Sequence, residues 1–241
     1  MEEITINASM GELYGILTMP DTDTAVPLII LSHGFGGNHT GNQDYSDYFV
    51  KQGLATYNFD FCGGGWGSKS AGTMLDMTVL TEAEDLNKII DHFKADSRFS
   101  CILLWGASQG GFVSTYVAGT RPEDVAGLVL LYPAFVLQDD SRRRNPDPDS
   151  GPDTMDIMGI PVGKIYDRDA QSFDIYEVMK KYPGNVLIFH GTADRTAPLF
   201  YSERAVKTFP HAKLITVDGA GHGFYGKKMR DAAEAALQFM I

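Results

Sequence analysis

Six short, nearly continuous apolar runs with helical patterns between them constrain this chain more than any other feature. They occupy residues 28–31, 55–61, 102–105, 128–132, 186–189 and 214–217. Each is too short for a core helix and too continuous for a strand with one wet face. Runs of this kind are strands buried on both sides, the condition of a parallel sheet. Val79, Ala83, Leu86, Ile90 and Phe93 recur every three or four residues, the stripe of an amphipathic helix. Met229, Ala233, Ala236, Leu237 and Met240 repeat the pattern at the C-terminus. The alternation predicts an α/β architecture: a mostly parallel, doubly wound sheet with helices on both faces. Two earlier segments, 4–7 and 13–19, flank Ser9-Met10-Gly11 and predict an N-terminal antiparallel hairpin. At 241 residues the chain can close one such domain.

The rhythm breaks between the runs ending near residue 132 and starting near 186. Asn145-Pro146-Asp147-Pro148-Asp149-Ser150-Gly151-Pro152 is rich in turn formers and cannot be a regular core element. A structureless loop of such length is unusual in a compact domain, whereas lids and binding loops are often inserted this way. The expected organisation is a core domain of residues 1–134 and 183–241 with a small lid subdomain, 135–182, inserted in it. Arg142-Arg143-Arg144, surrounded by Asp139, Asp140, Asp147 and Asp149, reads as a solvated loop.

Charge narrows the partners. With 20 basic against 31 acidic residues, the net charge of −11 repels phosphate backbones and anionic lipid, so neither nucleic acid nor membrane is expected. Met1-Glu2-Glu3-Ile4 lacks the basic start and apolar core of a signal peptide, and no apolar stretch approaches the roughly 20 residues that span a bilayer. A cytoplasmic protein is the expectation. Cys62 and Cys101, the only cysteines, have the spacing of neither a zinc site nor a disulfide framework.

Gly106-Ala107-Ser108-Gln109-Gly110 matches Gly-x-Ser-x-Gly, a pattern common enough by chance to need context. The context is a strand run before it and an apolar helix-like stretch, 112–118, after it. A serine on a sharp strand-to-helix turn is exposed for attack, and the flanking glycines leave room where side chains would collide. Ser108 is therefore the candidate nucleophile. Among six histidines, His222 lies in the glycine-rich stretch 219–224 after the last strand run, at the same carboxyl edge of the sheet, and is the candidate base. His190 reads as a buried structural residue, His33 as the residue ordering the glycine-rich loop behind it, and His39, His92 and His211 as surface residues. Asp194, just beyond another strand, is the candidate acid that orients the imidazole, with Asp218 and Asp60 as rivals. The order Ser108, Asp194, His222 is one this chemistry uses. Oxyanion donors are expected from the backbone N–H groups of Gln109 and of Phe35, in His33-Gly34-Phe35-Gly36-Gly37.

Taken together, these motifs resemble the α/β-hydrolases. A closer resemblance is to the small bacterial cinnamoyl (feruloyl) esterases. It is carried by the stretch 77–86 (Met-Thr-Val-Leu-Thr-Glu-Ala-Glu-Asp-Leu), by Ser108-Gln109-Gly110-Gly111 and by Ile175-Tyr176-Glu177-Val178. The resemblance implies the α/β-hydrolase fold with an inserted lid after its sixth strand. It also implies lid residues that bond a substrate's phenolic hydroxyl, Asp140 and Tyr166 occupying the similar places. The chain departs from the family at Cys62-Gly63-Gly64-Gly65-Trp66-Gly67, where a Gly-His-Gly motif is usual, and in the charged, proline-rich segment 141–152.

The function these readings predict is hydrolysis of a small-molecule carboxylic ester through an acyl-enzyme, with hydroxycinnamoyl or other small aromatic esters as substrates. No metal or organic cofactor is expected, and self-association into a homodimer stays open. The alternatives are a prolyl oligopeptidase-like peptidase, a monoacylglycerol lipase or thioesterase, and a non-catalytic binding protein on the same scaffold.

Overall fold

Continuous apolar runs leave a strand no wet face, so they must pair side by side in the interior. The structure, a computed structural model, describes residues 1–8 and 10–240, and its central sheet is built in this way. Strands β1 (Glu2–Ala8) and β2 (Gly11–Thr18) form the antiparallel hairpin. They are followed by β3 (Val26–Ser32), β4 (Ala55–Phe59), β5 (Phe99–Ala107), β6 (Gly127–Leu131), β9 (Asn185–Gly191) and β10 (Ala212–Val217). Among the described residues these make one eight-stranded sheet in the order β1-β2-β4-β3-β5-β6-β9-β10. β2 pairs antiparallel with β4, and every pairing from β4 to β10 is parallel. The fold is that of an α/β-hydrolase.

Along β3, Leu28 and Ile30 enter one apolar cluster while Ile29 and Leu31 enter another, so the sheet is dry on both faces. Helices α1 (Gln43–Lys51) and α8 (Lys227–Met240) cover the second face. On the first lie α2 (Val79–Phe93), α3 (Gln109–Thr120) and α7 (Leu199–Thr208). Thr78 caps α2 by accepting from the N–H groups of Leu80 and Thr81, and Thr81 returns the bond to the Thr78 N–H, a reciprocal capping box. Two strand expectations need adjustment. β4 stops at Phe59, which leaves Asp60 and Phe61 at the carboxyl edge as loop residues. β10 is the outer strand of the sheet and only half-buried.

The segment between β6 and β9 is structured throughout its middle. It carries α4 (Leu137–Arg144), the antiparallel pair β7 (Thr154–Ile157) and β8 (Ile160–Gly163), α5 (Ile165–Gln171) and α6 (Ile175–Met179). Its apolar residues, among them Phe135, Leu137, Val162, Tyr166 and Met179, join the same cluster as the first face of the sheet. Buried Gln138 stitches the segment together, donating to the carbonyls of Ala170 (2.7 Å) and Phe173 (2.6 Å) and accepting from Ile175 N–H (3.1 Å). Thr78 ties it to α2 by donating to Asp169 Oδ2 at 2.7 Å.

The arginine run is corrected by this arrangement. Arg142, Arg143 and Arg144 form the last turn of α4, where cations suit the negative end of the helix dipole. Arg142 and Arg143 pair back to Asp139 and Asp140 one turn earlier, and Arg144 clasps the fully buried carboxylate of Asp167. An uncompensated carboxylate there would be costly, so Arg144 is held in place rather than solvated.

Candidate active site

Ser108 stands alone between the end of β5 and the start of α3, with φ 53° and ψ −119°. A non-glycine residue in this conformation is strained, and the neighbourhood enforces it. A Cβ on Gly106 would lie 2.5 Å from the Gly110 carbonyl oxygen, and one on Gly110 would lie 2.3 Å from the His33 carbonyl oxygen. Both contacts are with backbone, which cannot move aside. The two glycines are the steric condition for the turn.

Ser108 Oγ lies 2.8 Å from His222 Nε2, and His222 Nδ1 lies 2.8 Å from Asp194 Oδ2. A carboxylate can only accept, so Nδ1 carries the proton and Nε2 is left to accept from the Ser108 hydroxyl. His222 comes from the loop after β10 and Asp194 from the loop after β9, so three strand ends meet at one edge. Asp194 is buried, and its Oδ1 accepts from the N–H groups of Thr196 (2.9 Å) and Ala197 (3.0 Å). His190 adds a further contact at 3.3 Å. Burial pushes the His190 pKa down, so its ring is neutral near pH 7. Its Nε2–H donates to the Ala197 carbonyl at 2.7 Å and its Nδ1 accepts from Ser202 at 2.8 Å, which holds the Asp194 loop.

The rivals for the acid role are placed elsewhere. Asp218 accepts from Thr192 Oγ1 at 3.2 Å. Asp60 is fully buried against His39, whose N–H and Nδ1 lie 2.5 and 2.8 Å from its Oδ1. His39 is therefore no surface residue: its ring is 11% exposed and it anchors the chain just beyond the glycine-rich loop. His33 orders that loop from the other side. Burial keeps it neutral, its Nε2 accepts from Phe61 N–H (3.1 Å), and its Nδ1–H donates to the Gly34 carbonyl (2.8 Å). A Cβ on Gly34 would sit 3.1 Å from Ser108 Cβ, so the loop passes directly over the serine. Among the described residues, the N–H groups of Phe35 and Gln109 are spent on no hydrogen bond.

Two clefts open from Ser108. One is lined by His33, Gly34, Phe35, Asn42, Tyr132 and His222. The other is lined by Phe35, Gln109, Leu137, Asp140, Arg144 and Tyr166. Met158 touches both. It sits with Gly159 at the tip of the β7–β8 hairpin, both at positive φ as a two-residue hairpin turn demands. The structure thus brings Asp140 and Tyr166 to one cavity with Ser108. The Asp140 carboxylate pairs with Arg143, and partial burial raises its pKa. The Tyr166 hydroxyl, also raised by burial, donates to Gln109 Oε1 at 2.5 Å.

One contributor escaped the reading of the sequence. Gln109 Nε2 donates to Glu82 Oε2 at 2.9 Å, and Glu82 is 1% exposed. The signal was available: Glu82 stands on the buried stripe of α2 between Val79 and Leu86, where an acidic residue is out of place. Both cysteines are free, and no cluster of metal-binding side chains occurs among the described residues.

Comparison with known proteins agrees with this architecture. The model of the serine aminopeptidase S33 family matches residues 23–157, and that of the TAP-like proteins matches residues 167–240. The chain belongs to the serine aminopeptidase S33 family of α/β-hydrolases. Among solved structures, this chain is similar to ferulic-acid-bound Est1E from Butyrivibrio proteoclasticus, with a TM-score of 0.89 and 27% identity over 98% of this chain and 97% of that one. Monoacylglycerol lipase from Paleococcus ferrophilus shares the fold at a TM-score of 0.72 and 19% identity, over 95% of this chain and 98% of that one. Monoglyceride lipase of Mus musculus is 30% identical over 118 residues, which are 49% of this chain and 38% of the mouse protein. No described helix is long and apolar enough to cross a membrane.

Proposed function

We propose that this hydrolase is a serine carboxylic ester hydrolase working through an acyl-enzyme, with hydroxycinnamoyl or other small aromatic esters as substrates. The observation that carries the reading is the unbroken chain Ser108–His222–Asp194 on a strained turn between two clefts. His222 takes the proton of Ser108 as its oxygen attacks the ester carbonyl, and Asp194 stabilises the imidazolium. The oxyanion forms beside the N–H groups of Phe35 and Gln109. His222 then protonates the leaving alcohol, and water activated by the same ring releases the acid.

Because His222 must reach the leaving oxygen, the alcohol belongs in the cleft that His222 lines, and the acyl group in the cleft of Asp140 and Tyr166. That second cleft combines apolar walls with a carboxylate and a phenol, which suits a planar acyl group carrying a hydroxyl. The bound ferulic acid named for Est1E supports the same substrate class. A monoacylglycerol lipase is the second reading, favoured by the partial match to the mouse enzyme. Its weakness is the polar end of the acyl cleft, where an aliphatic chain would press apolar surface against the Asp140 carboxylate and the Tyr166 hydroxyl and take water from them.

Turnover of methyl 4-hydroxycinnamate, 4-nitrophenyl acetate, a monoacylglycerol and a peptide amide tests the reading. The expected ranking places the hydroxycinnamate first in kcat/KM. A monoacylglycerol or amide in first place would replace it.

A further inference from the structure

The chain departs from the cinnamoyl esterases at Cys62-Gly63-Gly64-Gly65-Trp66-Gly67, and the proposed mechanism uses nothing in that stretch. Of the two tryptophans, Trp105 is fully buried while Trp66 is 79% exposed. Several contacts hold Trp66 in that position. Ser68 N–H donates to the Gly65 carbonyl at 3.2 Å, closing a four-residue turn with Trp66 and Gly67 at its centre. Gly67 takes φ 74°, a conformation that glycine adopts without strain. Asn38 Nδ2 donates to the Trp66 carbonyl at 2.8 Å. A Cβ on Gly65 would lie 2.4 Å from the Gly36 carbonyl oxygen and 2.7 Å from that of Gly37, so the turn is seated on the loop over Ser108. An indole held in water forgoes the stabilisation of burial, which points to a face kept for a ligand.

Trp66 forms one wall of a groove of about 400 Å³. Met74 comes from the same loop between β4 and α2, Ile160 and Pro161 come from β8, and the rest of the lining is glycine. Among the described residues no polar side chain lines it. Both walls prolong those of the cleft assigned to the leaving alcohol. On one side Gly37 lines that cleft, and Gly65, stacked on the Gly37 carbonyl, lines the groove. On the other, Met158 lines the cleft and the next residue, Gly159, lines the groove. The acyl cleft shares Met158 but not Gly37. An alcohol that outgrows its cleft between Gly37 and Met158 therefore arrives against Trp66. There a flat hydrocarbon ring can stack on the indole, whereas the hydroxyls of a glycerol or a sugar would meet no side-chain partner.

We propose that the groove between Trp66 and Ile160–Pro161 binds the distal, apolar part of the leaving alcohol, so that the enzyme favours esters of aryl-bearing alcohols. The half of the substrate that enters the groove rests on the ester reading and on the place it gives His222. The groove's affinity for an apolar ring rests on its lining alone.

The test compares the methyl, glyceryl and 3-phenylpropyl esters of 4-hydroxycinnamic acid, together with the binding of 3-phenylpropanol. Because Trp105 is buried, the long-wavelength tryptophan emission belongs to Trp66, and 3-phenylpropanol should shift it to the blue while glycerol leaves it unmoved. The phenylpropyl ester should exceed the methyl ester by roughly 10-fold in kcat/KM, carried by KM. Trp66→Ala and Pro161→Asp, on opposite walls, should each remove that advantage and leave the methyl ester within about 2-fold. Trp66→Phe keeps a ring and should retain most of it. An advantage that survives both wall variants overturns the proposal. So does an equal loss on methyl and phenylpropyl esters, the sign of a turn that only supports the loop over Ser108. A loss that follows the acid, seen between methyl acetate and methyl 3-phenylpropionate, overturns it too, by giving the groove to the acyl group. An emission shift in a protein that turns over none of the esters would overturn the ester reading and leave the groove supported. Turnover of the methyl ester with no emission shift and no phenylpropyl advantage would do the reverse.

Discussion

Beneath and behind Ser108 the packing is backbone on backbone: the loop through Gly34 passes over the serine, and the Gly106–Gly110 turn is pressed against the carbonyls of Ser32 and His33. On its Gln109 side it faces long side chains from two distant parts of the chain, with Asp140, Arg144 and Tyr166 contributed by the segment between β6 and β9. The first wall is set by steric exclusion among atoms that cannot rotate. The second is set by hydrogen bonds and ion pairs whose partners can be exchanged without moving the main chain. A wall of the first kind suits steps common to every substrate, and a wall of the second kind suits choosing among substrates. The comparison predicts that damage to the glycine wall acts on all substrates alike, whereas damage to the side-chain wall divides them.

The largest effect belongs to the group shared by both clefts. Ser108→Ala should lower kcat by roughly 10⁴- to 10⁶-fold with folding intact, because the members of such a triad act as a unit. Steady-state assays on 4-nitrophenyl acetate check this, and a residual rate above a tenth of the original would remove Ser108 from the chemistry. Next comes the glycine wall. In Gly110→Ala the new methyl meets the His33 carbonyl oxygen at 2.3 Å, an overpacking worth about 3 kcal/mol. Thermal unfolding should show a lowered Tm, and activity should fall on aliphatic and aromatic esters by one common factor. A divided response would break the distinction between the two walls.

On the side-chain wall the expected effects are smaller and selective. Asp140→Ala or Tyr166→Phe should cut kcat/KM for a hydroxycinnamate ester by roughly 10- to 100-fold, the cost of about 1–3 kcal/mol for an unsatisfied buried group. Unsubstituted cinnamate and short aliphatic esters should be nearly untouched. An equal fall on all three would mean that the residues only hold the inserted segment together.

The smallest effect is a pH dependence. Glu82 is raised from 4.5 to about 8 by burial, so between those values the folded chain keeps a proton that the unfolded chain has lost. Stability therefore declines as pH rises through that window, and Glu82→Gln is free of the decline. Urea unfolding should show the variant gaining on the parent by at least about 1 kcal/mol from pH 5 to pH 8, one pKa unit being worth about 1.4 kcal/mol. Parallel curves would mean that Glu82 titrates normally.

The same contrast explains what could be read from the sequence. The sheet was legible because dry parallel strands leave unmistakable apolar runs, as in Ile29–Leu31 beside Leu103–Trp105. Ser108, Asp194 and His222, which the structure joins by hydrogen bonds, stand on short local motifs at strand ends, where glycines mark the close approaches. His39 was misjudged because its partner, Asp60, lies 21 residues away, and nothing local distinguishes it from a surface histidine. Arg144 was misjudged for the same reason, its partner Asp167 being 23 residues distant. Glu82 is the intermediate case. Its place on the stripe of α2 was visible, but its partner Gln109 came from a motif read only for its serine. Interactions written in the backbone announce themselves, and those between distant side chains do not.

The central claim is that Ser108 is the nucleophile of a serine hydrolase, and covalent labelling tests it most directly. The protein is treated with a fluorophosphonate, digested, and the modified peptide is sequenced by mass spectrometry. The account predicts a stoichiometric adduct on Ser108, abolished in Ser108→Ala and strongly slowed in His222→Ala. An intact, folded protein that takes up no label, or carries it on a residue other than Ser108, would contradict it.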